Sequence, residues 1–227
     1  YRRSLARKLL SGAMSNSHDF LIVGGGPAGL SAAICAARSG CSVLLLEKGE
    51  QLGPRPRGEV VLNHRLFDEL LGEGFLRSHS LENRHGMVYH SPGARQKVAL
   101  PARRPSYFFE WRELIDRLGE VALAEGVTIR TECEVTGVER GRQIGVRYVD
   151  AQGEKRSARG ITLLGCDGFD SVVGRHYGVR YDGLSCPIIK CRIANANFDP
   201  ETIRALQFYF IGNGDLDDAP RFPPAVA

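Results

Sequence analysis

Residues 19–47 read DFLIVGGGPAGLSAAICAARSGCSVLLLE, and this segment carries the most informative pattern of the chain. Residues 19–23 and 41–46 contain the apolar runs FLIV and VLLL and predict two short buried strands, because continuous apolar residues of this length are typical of strands covered on both faces. Between them, residues at helical spacing predict a helix that ends near Gly40: Leu30, Ala33, Ile34 and Ala37. Strand, helix and strand form a βαβ unit, so the two strands are predicted to be parallel.

The glycines of this segment have the spacing of a dinucleotide-binding turn. Gly24, Gly26 and Gly29 form the pattern GxGxxG between the first predicted strand and the helix. The first glycine allows the tight turn, the second lets the backbone approach a pyrophosphate, and the third lets helix and strand pack closely. Free N–H groups at the helix N-terminus attract phosphate. Pro27 fits the first turn of the helix, because the N–H that proline lacks would have no partner within the helix there.

The second predicted strand ends at Glu47, 18 residues after Gly29. A carboxylate at this position accepts hydrogen bonds from the hydroxyl groups of a ribose. It would repel a phosphate group on the ribose 2′ position. The residue therefore favours NAD or FAD over NADP as the nucleotide at this turn.

Further predicted strands extend this pattern along the chain. Segments 127–130 and 161–165 are predicted to join the parallel sheet, and 133–160 predicts a β-meander. Segments 85–109 and 186–213 are predicted to begin a second sheet. The predicted fold class is α/β, with a Rossmann-like parallel sheet, a β-meander and the start of a mixed-sheet second domain.

Composition and charge exclude several classes of function. The chain is 43% hydrophobic and 25% charged, as expected for a globular protein. Residues 1–18 contain four basic residues and no acidic ones, and the remaining 26 basic residues equal the 26 acidic residues in number. We therefore expect no nucleic-acid partner. No apolar run approaches the roughly 18 residues of a membrane-spanning helix, so we expect no integral membrane segment.

The six cysteines form no CxxC pair and no cluster with zinc-ligand spacing. We expect reduced thiols and no metal site. This cysteine usage favours a cytoplasmic location. The alternative is a mitochondrial location, if the arginine-rich and acid-free residues 1–13 are a native transit peptide.

Three further motifs follow the glycine turn along the chain. They are PRGE at residues 56–59, WREL at residues 111–114 at the start of the longest predicted amphipathic helix, and GCDGFDSVV at residues 165–173. They resemble the RG(E/D) segment, the xRxxL helix start and the DG motif of single-component FAD-dependent aromatic hydroxylases of the p-hydroxybenzoate hydroxylase type. The resemblance covers residues 17–180.

The resemblance implies that the cofactor is FAD and that particular residues bind it. Glu47, with Lys48 beside it, would bind the adenosine ribose. Arg57 and Arg112 would reach phosphate or flavin edges. The residues that would line the pyrophosphate are Gly24, Gly26, Ala28 and Gly29.

The same resemblance assigns roles to two later segments. The backbone of Val135 would contact the adenine, while Asp167 and Gly168 would stand near the pyrophosphate and are linked in the family to use of a nicotinamide cofactor. The family's DG motif ends in VR. Here Gly174 follows Val173 and the arginine, Arg175, comes one place later, which weakens the role that the family assigns to it. No residue is assigned to catalysis.

The activity implied by the resemblance is that of a monooxygenase. NADH or NADPH would reduce FAD, molecular oxygen would form a flavin C4a-hydroperoxide, and one oxygen atom would enter an aromatic or similar electron-rich small-molecule substrate. The alternatives are a geranylgeranyl-reductase-like or halogenase-like flavoenzyme of the same superfamily, and a non-catalytic FAD-binding module. The cysteine- and glycine-rich segment of geranylgeranyl reductases is not evident, which favours the hydroxylases.

The predicted domain organisation is discontinuous. Residues 1–17 form an N-terminal extension, 18–84 and 110–182 form the FAD-binding domain, and 85–109 and 183–227 form part of a substrate domain. The GD motif that follows the DG motif in the family is absent. We therefore expect an N-terminal fragment of a longer enzyme that is poorly active by itself.

Overall fold

The computed structural model describes residues 17–53, 58–61, 64–83, 86–103, 106–179 and 205–209. The chain divides into two compact units. The first consists of residues 1–56 and 111–186, and the second of residues 57–110 and 187–227. Residues 57–84, which the sequence analysis assigned to the FAD-binding domain, fall in the second unit. The predicted N-terminal extension lies outside the described residues except for Ser17.

The described residues contain twelve strands and five α-helices. The strands are β1 (Ser17–Val23), β2 (Val43–Leu46), β3 (Gly58–Val61), β4 (Ser80–Asn83), β5 (Met87–His90), β6 (Lys97–Leu100), β7 (Ser106–Glu110), β8 (Thr128–Arg130), β9 (Glu134–Glu139), β10 (Ile144–Val149), β11 (Lys155–Gly165) and β12 (Leu206–Tyr209). The helices are α1 (Pro27–Arg38), α2 (His64–Leu71), α3 (Phe75–His79), α4 (Trp111–Ala124) and α5 (Val172–His176), with a short 3₁₀ turn at Pro92–Ala94.

A six-stranded sheet organises the first unit, in the order β8-β2-β1-β11-β10-β9. Strand β1 lies between β2 and β11 and is parallel to both, and β8 is parallel to β2. The prediction of parallel strands joined by a helix is therefore confirmed. The carboxyl ends of β1, β2 and β11 meet at one edge of the sheet, where open α/β sheets bind ligands.

Helix α1 covers one side of the parallel strands, and α4 lies beside it. Helix α1 contacts β1 and β2 and packs against α4. Its side chains Leu30 and Ile34 are fully buried, as are Ile115 and Leu118 of α4. These residues repeat at helical spacing, so each helix turns one apolar stripe towards the core.

The β-meander packs on the other side of the parallel strands β1 and β2, although its strands continue the same hydrogen-bonded sheet. The side chains of β1 and β2 that point to this side form one core with Val135, Val146, Tyr148 and Ala158 of the meander. The predicted separate strand at 161–165 is the second half of β11, which is a single strand. Its first half pairs antiparallel with β10, and its second half pairs parallel with β1. One strand therefore belongs to both the meander and the parallel sheet.

The described residues of the second unit form two three-stranded sheets rather than one. Strand β5 pairs antiparallel with β6 and parallel with β12, which gives a mixed sheet. Strand β7 lies between β3 and β4 in the other sheet and is antiparallel to both. The prediction placed residues 85–109 in one sheet. Within this segment, however, strand β7 pairs with residues 58–61 and 80–83 and so belongs to a different sheet from β5 and β6. The predicted strand segment 186–213 is described only at residues 205–209.

Candidate cofactor-binding site

The glycine turn connects β1 to α1 and is packed too tightly for side chains at two of its three motif positions. Gly24 has a φ of 105°, a conformation that disfavours residues with a Cβ. A Cβ there would overlap the Cys166 carbonyl oxygen and lie 2.6 Å from its carbon. A Cβ on Gly29 would overlap the Gly24 carbonyl oxygen. Gly24 and Gly29 are therefore required by the fold itself.

The middle glycine of the motif faces open space. A Cβ on Gly26 would meet no atom within 4 Å. Gly26 is also the N-cap of α1, where no side chain accepts from the free backbone N–H groups, and Pro27 begins the helix. Ala28 is exposed in the same first turn. A helix of 12 residues thus presents an uncapped N-terminus to a space without side chains, which is the arrangement that binds a pyrophosphate.

Glu47 is buried, with 5% of its surface exposed, at the end of β2. Its Oε2 atom accepts a hydrogen bond of 2.6 Å from the Gly25 N–H, and Oε1 accepts one of 2.7 Å from the Gly49 N–H. The carboxylate is therefore fixed beside the glycine turn. Each carboxylate oxygen accepts more than one hydrogen bond, so ribose hydroxyls can still bind. The neighbouring Lys48 is exposed.

Arg112 lies at the start of α4, as the motif predicts. Its Nη2 donates a 2.8 Å hydrogen bond to the Leu52 carbonyl oxygen, and its Nε lies 3.0 Å from Asp116 Oδ1. The segment that it contacts is bonded to the glycine turn, because Gly53 N–H donates to the Gly25 carbonyl oxygen over 3.0 Å. The guanidinium is thus held near the turn. Arg57, the other predicted arginine, lies outside the described residues.

Val135 follows a segment that runs beside Glu47. The Cys133 N–H donates to the Glu47 carbonyl oxygen over 2.9 Å. The Val135 side chain is buried in the core shared by sheet and meander. Its strand, β9, is the last of the sheet order, so one backbone edge of β9 has no neighbouring strand among the described residues. The predicted adenine contact requires such a backbone edge.

Asp167 has a defined structural task that sequence reasoning missed. Its Oδ2 accepts from the Val172 N–H over 2.6 Å, and its Oδ1 accepts from the Ser171 hydroxyl over 2.5 Å. Ser171 in turn accepts from the Gly174 N–H over 2.7 Å. Both side chains therefore cap α5. The serine three residues before Gly174 is the signal that could have predicted this cap.

The segment around Gly168 is joined to the glycine turn through its backbone. The Cys166 N–H donates to the Val23 carbonyl oxygen over 2.7 Å, directly before Gly24. Gly168 has a φ of 81°, and a Cβ there would meet no atom within 4 Å. The structure thus brings the DG segment, the glycine turn, Glu47 and Arg112 to one edge of the sheet. Gly25 and Gly53 join them, although no motif singled them out.

Two other classes of feature are absent from the described part of the chain. No group of three or more His, Cys, Asp or Glu residues within it is placed to hold a metal ion. No helix within it is long and apolar enough to cross a membrane.

The chain is similar in sequence to curated proteins of one name. A digeranylgeranylglycerophospholipid reductase of Methanosarcina acetivorans is 29% identical over 216 residues, which cover 88% of this chain and 49% of the reductase. Reductase 1 of the same name from Methanococcoides burtonii is 32% identical over 179 residues, covering 73% of this chain and 41% of that protein. The chain thus spans about half the length of the curated relatives that it matches.

Solved structures of two kinds share the fold. A geranylgeranyl bacteriochlorophyll reductase-like protein of Thermoplasma acidophilum superposes with a TM-score of 0.69 at 24% identity, covering 86% of this chain and 50% of its own. The flavin-dependent monooxygenase PieE, solved with FAD and substrate, superposes with a TM-score of 0.61 at 25% identity, covering 73% and 33%. Residues 17–213 match the family model described as "FAD binding domain". The chain therefore belongs to this family of FAD-binding domains.

Proposed function

We propose that the chain is the FAD-binding part of an oxidoreductase that reduces carbon–carbon double bonds in a long isoprenoid lipid. FAD binding is supported by one observation above all. The uncapped N-terminus of α1 and the buried carboxylate of Glu47 lie at the same edge of the sheet. FAD, when bound, supplies the electron transfer. The protein's part is to bind and orient the cofactor and to exclude water from it.

Each described site residue has a distinct binding task. The N–H groups at the start of α1 would hold the pyrophosphate, and Gly26 leaves the space for it. Glu47 would accept hydrogen bonds from the ribose hydroxyls while it keeps its bonds to the turn. Arg112, held at the Leu52 carbonyl, would supply positive charge beside the anionic part of the cofactor.

Two observations favour the isoprenoid substrate over a small polar one. The first is the likeness to digeranylgeranylglycerophospholipid reductases described above. The second is an apolar face on the sheet of β5, β6 and β12, where strand register places six apolar side chains together. They are Met87, Tyr89, Val98, Leu100, Leu206 and Phe208. Val98 is 61% exposed and Leu100 51% exposed, so this apolar surface is available to an apolar chain.

Hydroxylation is the second candidate function. The segments WREL and GCDGFDSVV resemble those of aromatic hydroxylases, and the likeness to the PieE structure also favours this activity. Under this proposal the substrate is an aromatic small molecule, and the co-reactants are molecular oxygen and NADH or NADPH. The two candidates share the FAD site and differ in what reaches it.

The deciding experiment uses the complete protein encoded by the gene that carries this sequence, loaded with FAD. In one arm, the flavin is reduced with dithionite without oxygen, and digeranylgeranylglycerophospholipid is added. We expect mass spectrometry to show products that gain hydrogen in pairs and no oxygen. In the other arm, NADH or NADPH, oxygen and a phenol are supplied. A phenol that gains one oxygen atom, with no change in the lipid, would overturn the reductase proposal and support the hydroxylase.

A matched pair of variants links either activity to the site. Glu47→Gln should lose flavin and activity together, because its carboxylate lies at the turn. Glu50→Gln, in an exposed position three residues later, should keep both. If Glu47→Gln retained flavin as well as Glu50→Gln does, the assignment of Glu47 to the ribose would be wrong.

A further inference from the structure

A groove of about 590 Å³ lies at the β8 side of the first unit, apart from the glycine turn. Leu44 and Ile129 come from the parallel sheet, and Tyr148 and Ala158 come from the meander. The turn between β10 and β11 also contributes Asp150. None of the residues assigned to FAD lines it. A volume of several hundred Å³ is the usual size of a small-molecule site.

The charged residues of the groove leave one positive charge unpaired. Arg156 Nε lies 2.9 Å from Asp150 Oδ2, so these two charges neutralise each other. Asp150 Oδ1 also accepts from the N–H groups of Gln152 and Glu154, which satisfies the carboxylate. Arg130 Nη1 donates a 2.8 Å hydrogen bond to the Tyr148 hydroxyl, which is a neutral partner. Among the described residues, Arg130 has no carboxylate partner.

The remaining titratable groups of the lining do not offset this charge. Burial, and then the positive charge of Arg130, lower the pKa of His18, which keeps the imidazole neutral near pH 7. Burial raises the pKa of the Cys133 thiol, which keeps it protonated. The lining is therefore positive by one charge. The apolar side chains of Leu44 and Ala158 line the same groove.

We propose that this groove binds a small organic anion with an apolar body, whose carboxylate or phosphate contacts Arg130 and the Tyr148 hydroxyl. The guanidinium has N–H donors left in addition to the one used for Tyr148, and a planar anionic group can accept from them. The apolar part of the ligand would lie over Leu44 and Ala158. This inference does not depend on the reaction proposed above.

The test is isothermal titration calorimetry on the full chain with FAD in excess, so that the cofactor site is filled. The probes are hexanoate, its neutral analogue hexanamide, and inorganic phosphate. We expect hexanoate to bind at one site and hexanamide to bind about tenfold more weakly, as loss of a charge-assisted hydrogen bond implies. Phosphate should also bind more weakly than hexanoate, because it has no apolar body.

Three variants make the location of the site decisive. Arg130→Gln should weaken hexanoate binding about tenfold, and Arg130→Lys, which keeps the cation, should retain most of it. Arg142→Gln is the matched control, because Arg142 is exposed in the turn between β9 and β10, outside the groove. Equal hexanoate affinity in Arg130→Gln and Arg142→Gln, or no binding of hexanoate, would overturn the proposal. Phosphate binding as tightly as hexanoate would refute the apolar part of the ligand class.

Discussion

Replacing Gly26 by alanine should separate cofactor binding from folding. Gly26 has a φ of −80° and a ψ of −177°, which alanine adopts without strain. The added methyl group would meet no protein atom within 4 Å. Alanine is a poorer N-cap than glycine, so the free energy of unfolding should fall by less than about 1 kcal/mol. The methyl group would, however, occupy the space that the pyrophosphate needs.

The matched variant Gly29→Ala should do the opposite. Its Cβ would overlap the Gly24 carbonyl oxygen and lie 3.4 Å from Cys166 Cβ, so α1 would have to move away from the turn. Overpacking of this kind costs about 1–3 kcal/mol. At roughly 2–4 °C per kcal/mol for a protein of this size, the melting temperature should fall by about 2–12 °C.

Thermal unfolding without FAD, and titration of FAD followed by flavin fluorescence, measure the two effects separately. We expect Gly26→Ala to melt close to the unmodified protein and to bind FAD at least about tenfold more weakly, a loss of about 1.4 kcal/mol or more. Unchanged FAD affinity in Gly26→Ala would refute the assignment of this space to the pyrophosphate. A melting temperature as low as that of Gly29→Ala would refute the claim that the space is open.

Three further changes test individual hydrogen bonds and charges. Glu47→Gln should lower the free energy of unfolding without FAD by about 1–3 kcal/mol, measured in urea titrations. An amide has only one acceptor oxygen, so either the Gly25 N–H or the Gly49 N–H would lose its hydrogen bond. Asp167→Ala should cost about 0.5–2 kcal/mol through loss of the α5 cap, whereas the exposed Asp170→Ala should cost clearly less in the same assay. His18→Gln should flatten the decline of stability on acidification. The folded state, with its lowered His18 pKa, takes up a proton less readily than the unfolded chain, so stability falls as pH drops below the unfolded pKa of about 6.5. The measurement is the melting temperature at several pH values between about 7 and about 5. An equal fall in melting temperature with pH for His18→Gln and the unmodified protein would contradict this.

Short-range patterns were sufficient to predict the part of the fold that contains the glycine turn. The segment 19–47 contains both apolar strands, the helical stripe and the glycine turn, and its parallel pairing is confirmed. The carboxyl end of β2 places Glu47 beside that turn, because a βαβ unit brings the ends of its two strands together. Such features depend on residues close in sequence, whose spacing directly reflects the period of helix or strand.

Pairing between distant segments was not predictable in this way. Strand β7 pairs with β3 and β4 rather than with β5 and β6. All of these segments have strand-like sequences, and alternation alone does not select the partner. The choice depends on which apolar faces can be buried together once the chain is compact.

The sequence by itself determined the βαβ unit, the glycine turn and the position of Glu47 at the end of the second strand, because each rests on local periodicity and backbone geometry. Only the tertiary structure decided that β11 serves both sheet and meander, that Asp167 caps α5, and that Arg130 faces a groove without a carboxylate partner among the described residues. These features arise where segments far apart in sequence meet. The hydrogen-bond partner or neighbouring charge of a side chain at such a place is set by the packing of the whole unit.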